Sequence, residues 1–242
     1  MKTQEHFELV DSHLTYTGRV GAGVLCDFLQ IAATVNAQKM GYGLSALQAK
    51  GHSWMLDKMS VVFDKWPEPN TEILVTTWPA DMHGRLVFNR DYHVTDSNGN
   101  LLYRASSKWI LVDIVNRKIV RPSPELVKLV TLGLPREEMP PAPPPAEPTE
   151  TVWSVPIHVR RSDLDINRHV NHIHYIDWLF ESLPENLCAK QLARLDINYR
   201  AEALAGDVIE SRAVLAKDGR TIHSLVRASD DQVLTCATCS WR

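Results

Sequence analysis

Two stretches decide the fold when laid over each other: Met59 to Trp78, MSVVFDKWPEPNTEILVTTW, and Leu195 to Val214, LDINYRAEALAGDVIESRAV. Phe63 falls on Tyr199 and Thr71 on Asp207. Both stretches pass from alternating apolar residues through a polar turn to alternating residues again, as consecutive strands do. Farther on, LLYRASSKWILV (from Leu101) matches VLTCATCSWR (from Val233), with Ala105 on Ala237 and Trp109 on Trp241. Such self-similarity at a long period marks a duplicated structural unit.

Working outward, each copy begins with strand-like material, HFELVDSHLTYTGRV from His6 and VWSVPIHVRR from Val152, where Val155, Ile157 and Val159 alternate. Each then offers one helix. In the first copy Val24, Leu25, Phe28, Ile31, Ala32 and Val35 follow helical spacing and Gly41 supplies a stop. In the second, Val170, Ile173, Ile176, Leu179 and Leu183 do so until Pro184. Ser97-Asn98-Gly99 and Lys217-Asp218-Gly219 mark hairpin turns between later strands. A strand, a long helix and an antiparallel meander that wraps it make a hotdog module. The predicted fold is therefore α+β, a tandem double hotdog in which two curved antiparallel sheets join into one continuous sheet and cover each other's edges.

Half of the 14 prolines lie between Pro135 and Pro148. They cannot donate to a ladder and favour extended backbone, so this segment is predicted to be a linker or strap. The expected organisation is an N-terminal hotdog over residues 1–134, a Pro-rich linker over 135–150 and a C-terminal hotdog over 151–242. A length of 242 residues suits two modules of about 100 to 120 residues each.

Composition narrows the function. With 26 basic and 29 acidic residues the net charge is −3, without the positive field that a nucleic acid demands. The chain starts without an apolar leader and contains no run that could span a bilayer, so a cytoplasmic protein without membrane insertion is expected. Four cysteines, Cys26, Cys188, Cys236 and Cys239, suggest reduced thiols rather than a disulfide framework. Cys236 and Cys239 have no second pair at zinc-site spacing and are expected to be buried strand residues; neither a metal nor a cofactor is predicted.

The chemistry concentrates in Asp163 to Asn171, DLDINRHVN, at the start of the second helix. A helix start carries unpaired amides and the positive end of the dipole, which suit a carbonyl oxygen that becomes an oxyanion. Asp165, Asn167 and His169 would place an acid, an amide and an imidazole around it. An ordinary helix cap is the alternative on spacing alone, although a cap needs no histidine. The corresponding place in the first copy, taken as Arg19 to Gly23, is RVGAG and holds neither acid nor imidazole, while its glycines would let another group approach the backbone closely.

DLDINRHVNHIHYIDWLFESLP resembles the signature of the fatty acyl-acyl carrier protein thioesterases, which end fatty-acid synthesis in plant plastids and have bacterial relatives. DKMSVVFDKWPEPNTEILVTTWP, RASSKWILVDIVNRKIVRPSPEL and YRAEALAGD extend the resemblance in order and spacing. It implies hydrolysis of fatty acyl-carrier-protein thioesters, with Asp165, Asn167, His169 and Glu202 as the catalytic set. It also implies acyl carrier protein as partner, and acyl-chain measurement by the first module. Plant members carry a cysteine beside the glutamate, where this chain has Ala203, so a cysteine nucleophile is excluded at that place. Water activated by His169 and Glu202, or direct attack by Asp165 to form an anhydride, are both open routes.

His172 and His174 are expected to pack or face solvent, and the seven tryptophans to fill cores. Helix residues Val24 to Val35 are candidate acyl-tunnel walls. Arg160, Arg161, Arg168, Lys190, Arg194 and Arg200 surround the motif and suit an acidic carrier. An acyl-CoA hydrolase on the same fold is the nearest rival, followed by a non-enzymatic acyl-binding regulator and a hotdog dehydratase. A homodimer of the fused pair is left open.

Overall fold

The computed structural model describes residues 1–131 and 134–242. The chain divides into two units. One comprises Met1–His13 with Asp27–Pro140, the other Leu14–Cys26 with Pro141–Arg242. Linear boundaries do not anticipate the transfer of residues 14–26 to the second unit. Its physical basis is local: Arg19 Nη1 donates to the Ala189 carbonyl at 2.9 Å and Tyr16 Oη to Glu185 at 3.3 Å.

The first hotdog contains strand β1 (Thr3–Glu8), helix α1 (Ala22–Lys39), the short helix α2 (Leu44–Gln48) and strands β2 (His52–Phe63), β3 (Glu72–His83), β4 (Val87–Asp96) and β5 (Leu101–Asp113). A two-residue strand β6 (Lys118–Ile119) and helix α3 (Pro124–Val130) follow. The strands lie in the order β1-β3-β4-β5-β2, antiparallel throughout, with β6 beside β5. The second hotdog contains β7 (Trp153–His158), α4 (His172–Phe180), α5 (Glu185–Cys188), β8 (Leu192–Tyr199), β9 (Val208–Leu215), β10 (Thr221–Arg227) and β11 (Gln232–Trp241). Its order, β8-β11-β10-β9-β7, is the same topology read from the other edge.

The duplication extends to the hydrogen-bond register. Val61 pairs with Ala105 and Phe63 with Tyr103 in the first sheet; Ile197 pairs with Ala237 and Tyr199 with Thr235 in the second. Tyr92 lies opposite Ala105 as His223 lies opposite Ala237. Even the bulges coincide, at Val94/Thr95 and at Leu225/Val226. A bulge bends and twists its strand, which is how each sheet acquires its curvature. The predicted turns are present, with Gly99 at φ +81° and Gly219 at φ +83°, backbone that favours glycine.

Three sequence-based expectations need correction. The strand-like opening ends early in both copies: β1 stops at Glu8 and β7 at His158, and 3-10 turns at Asp11–His13 and Arg161–Asp163 follow. Second, α4 is half the length of α1. Leu183 is buried beyond its end, and Pro184 stands as the N-cap of α5. Third, the first-copy counterpart of the motif is not Arg19–Gly23, as described below.

In the first unit α1 is tied to its sheet by a Phe7–Phe28 stack with centroids 4.5 Å apart and by buried Asn36, whose Oδ1 accepts from Arg90 at 2.8 Å. The Pro-rich segment contains no helix or strand from 134 to 150. It is strapped down by Arg136, which grips the fully buried Asp91 carboxylate through Nε at 2.8 Å and Nη2 at 3.2 Å. A buried carboxylate requires such a partner. In the second unit Glu147 pairs with Arg200. No helix among the described residues is long and apolar enough to cross a membrane.

Candidate active site

Between the 3-10 turn at Arg161–Asp163 and α4, the chain closes a small loop by a bridge between Leu164 and Val170. Asp165 organises it. Its amide donates to the His169 carbonyl at 2.7 Å, its carbonyl accepts from Arg168 at 3.0 Å, and its Oδ1 accepts the amides of Asn167 at 2.8 Å and His169 at 3.2 Å. An aspartate that captures the amide two residues on is the usual device for a tight turn. Asn167 Nδ2 adds a long contact of 3.4 Å to Asp165 Oδ2. Arg168 must adopt φ +64°, an uncommon backbone for a side-chain-bearing residue. Ile166 at the tip is exposed.

His169 emerges from this loop and meets Glu202, which lies in the turn after β8: Nδ1 to Oε1 is 3.2 Å. The Nδ1 edge of the ring thus faces the carboxylate, and a proton on Nδ1 would leave the Nε2 lone pair available for chemistry. The structure therefore joins the four residues as two pairs, Asp165 with Asn167 and His169 with Glu202, linked through the His169 main chain. Backbone bonds fix their separation. Val170 N donates to the Ala203 carbonyl at 3.1 Å, and Ala203 N donates to Tyr175 Oη at 2.8 Å.

Sequence reasoning passed over three participants. Tyr175, from α4, looks like a core aromatic by spacing. Arg227, at the end of β10, donates through Nη2 to the Glu202 carbonyl at 2.6 Å. Asn171, at the helix start, accepts the Ile173 amide at 3.3 Å on its side chain. Only the cap was legible, since Asn before an apolar run is a known signal. His172 turns inward, where burial lowers its pKa to about 4 and leaves its Nε2 enclosed without a partner. His174 stacks on Trp178.

The same loop exists in the first copy 150 residues earlier, with Leu14 for Leu164 and Val20 for Val170, again bridged to each other. Thr15 replaces Asp165, Thr17 replaces Asn167, Gly18 replaces Arg168 and Arg19 replaces His169. The main-chain bonds persist: Thr15 N to the Arg19 carbonyl at 2.8 Å and Gly18 N to the Thr15 carbonyl at 2.9 Å. LTYTGRV against LDINRHV carried this signal, but the outer leucine and valine are a weak anchor by themselves. The glycine expectation finds its occupant in Asp177, whose carboxylate accepts the Gly23 amide; a Cβ at residue 23 would collide with Asp177 Oδ1.

Residues 1–130 match the model of the acyl-ACP thioesterase N-terminal domain and residues 146–242 that of the C-terminal domain. The chain belongs to the acyl-ACP thioesterase family. It is 25% identical, over 87% of its length and 66% of the relative's, to oleoyl-acyl carrier protein thioesterase 1, chloroplastic, of Arabidopsis thaliana. It is 30% identical, over 78% of its length and 48% of the relative's, to a chloroplastic palmitoyl-acyl carrier protein thioesterase of Cuphea hookeriana. It thus spans about half to two thirds of these curated relatives. The crystal structure of an acyl-ACP thioesterase from Bacteroides thetaiotaomicron superposes with a TM-score of 0.88 at 23% identity, covering 100% of this chain and 98% of the other, and shows the shared fold.

Within this acyl-ACP thioesterase fold Ala203, beside Glu202, is fully buried. The four cysteines are free thiols, and Cys236 and Cys239 lie buried on β11. Burial raises Cys236 to about 11 and Cys239 higher still, which keeps both protonated and unreactive.

Proposed function

We propose that the chain hydrolyses fatty acyl-acyl carrier protein thioesters to free fatty acid and carrier thiol, with Asp165, Asn167, His169 and Glu202 as its site. The observation that carries this is the 3.2 Å contact of Glu202 with His169 Nδ1 in a member of a thioesterase family. Glu202 orients the imidazole; Nε2 takes a proton from water as its oxygen bonds to the thioester carbon. The electron pair shifts to the carbonyl oxygen, held by the second N–H of the Asn167 amide near the positive end of α4. Collapse breaks the carbon–sulfur bond. The imidazolium returns its proton to the sulfur, an undemanding step for a thiol of pKa about 8.5.

Asp165 serves as orienter rather than nucleophile in this scheme. Its carboxylate is already engaged by two amides that shape the loop, which favours the water route over an anhydride. Single-turnover hydrolysis in heavy-oxygen water tests this: label in the fatty acid alone is expected, and label in Asp165 would overturn it.

Carrier docking is assigned to Arg160, Arg161, Arg168 and Lys190, all exposed. Arg194 and Arg200 are less available, being paired with Asp196 and Glu147. The first hotdog, through the buried face of α1, is assigned the acyl chain. Thiol release from matched carrier and CoA thioesters decides the handle. A higher kcat/KM on the carrier substrate, falling steeply with salt, is expected; equal values would make the enzyme an acyl-CoA hydrolase.

A further inference from the structure

Glu202 lies in an irregular segment, residues 200–207, whose ends are held by main-chain bonds, the Arg200 and Ala201 amides to the Leu234 carbonyl and Gly206 and Asp207 to Val159. Between those ends the peptide that aims its carboxylate at His169 is fixed by side chains. The peptide unit joining Glu202 to Ala203 is held at both edges. Its carbonyl accepts from Arg227 Nη2 at 2.6 Å, and its N–H donates to Tyr175 Oη at 2.8 Å. A peptide plane gripped on opposite edges cannot rotate, and its rotation would swing the preceding side chain. The next carbonyl, of Ala203, accepts the amide of Val170, the residue after His169.

Arg227 is itself immobilised. Nε donates to Asp207 Oδ2 at 3.1 Å and Nη1 to Asp230 Oδ2 at 2.9 Å, so three of its donors are engaged, two of them by the Glu202 segment and one by the hairpin after β10. Asp207 Oδ2 also accepts the Leu204 amide at 3.0 Å, closing the far end of the same segment. The planar guanidinium suits this multidentate role in a way that an ammonium does not. The first hotdog provides a comparison. The register that places Tyr92 on His223 places Asp96 on Arg227, and Asp96 spends its carboxylate on the amides of Asn98 and Asn100 in its own hairpin. The overlay of the two copies places Trp66 on Glu202. The copy without the glutamate also lacks the arginine.

We propose that Arg227, with Tyr175 as second anchor, is a positioning residue that locks the Glu202–Ala203 peptide and thereby holds Glu202 against His169 Nδ1. This rests on the His169–Glu202 pair being the reacting pair. Displacement of a catalytic group by about 1 Å can cost on the order of a hundredfold in rate.

The test compares Arg227→Met, Arg227→Lys and Tyr175→Phe with His169→Ala and Glu202→Gln. Turnover is followed on one acyl-carrier-protein thioester, and the His169 tautomer by nitrogen-15 chemical shifts. Arg227→Met and Tyr175→Phe should each lower kcat about tenfold to a hundredfold with KM within about twofold, and should convert a single Nδ1–H tautomer into a mixture. Arg227→Lys should recover part of both signals. If Arg227→Met does not fold, Tyr175→Phe and Arg227→Lys carry the same test. Folded variants with wild-type kcat and a single tautomer overturn the proposal, as does loss of kcat with the tautomer unchanged. Its failure remains distinguishable from failure of the underlying assignment: an active His169→Ala enzyme sinks the reacting pair itself, whereas an inactive one beside a fully active Arg227→Met sinks only the positioning role.

Discussion

The loop at residues 14–20 and the loop at 164–170 have the same bridge, the same preceding 3-10 turn and the same internal main-chain bonds, yet only one carries an acid, an amide and an imidazole. Backbone form at this position is evidently independent of the chemistry. Thr15 and Arg19 keep the loop closed through main-chain atoms, and a site needs in addition the carboxylate that arrives from elsewhere in the fold. At the first helix start a carboxylate also arrives, but it is Asp177 meeting the Gly23 amide, a cap rather than a partner for an imidazole. Duplication supplied two frames, and a few side chains separate them.

The largest effects should fall on one loop only. His169→Ala and Glu202→Gln are expected to lower kcat by about a thousandfold or more, as loss of an acid–base group does, whereas Thr15→Ala and Arg19→Ala should stay within about twofold. Steady-state thiol release measures both, and a tenfold loss in the Thr15 variant would break the proposed division between the copies.

Next is a difference between the sheets. His223 takes the place of Tyr92; it is fully buried, bonded to the Leu179 carbonyl and to Thr221, and burial lowers its pKa to about 4. Below about pH 6.5 the unfolded chain binds a proton that the folded one refuses, so stability present at neutral pH is lost as pH falls toward 4. The loss from this group is about 3 kcal/mol. Urea unfolding between pH 7 and 4 should show it, and His223→Gln should flatten that part of the curve.

Smaller still is the Asp177 cap. Burial raises the Asp177 pKa to about 6, which works against the Gly23 contact, so the contact shows as a difference: Asp177→Ala should be about 1 kcal/mol less favourable with Gly23 present than in a Gly23→Ala background, where the added Cβ has already displaced the carboxylate. Additive losses would show that the contact contributes nothing. The smallest effect concerns backbone alone. Arg168→Gly should stabilise by about 0.5–1 kcal/mol by relieving the positive φ, and Gly18→Ala, with open space around its Cβ, should destabilise by a similar amount.

Much of this could be read in advance because its signals are local or periodic. Alternating residues aligned Phe63 with Tyr199 and Ala105 with Ala237, and the strands pair in that register because a slip of one residue would turn the buried face outward. DLDINRHVN was legible because an acid, an amide and an imidazole at a helix start exceed what a cap requires. Position along the chain determined that Asp165 could organise its own turn.

Other features required the tertiary fold, since they join residues whose spacing follows no period. Glu202 lies thirty-three residues beyond His169 and reaches it only because Val170 and Ala203 share a hydrogen bond across two segments. Tyr175 and Arg227 look like a core aromatic and a surface cation until the Glu202–Ala203 peptide is seen between them. The sequence by itself determined the modules, their register and the polar loop; the tertiary structure decided which distant side chains that loop meets, because such meetings depend on how curved sheets return to one point in space.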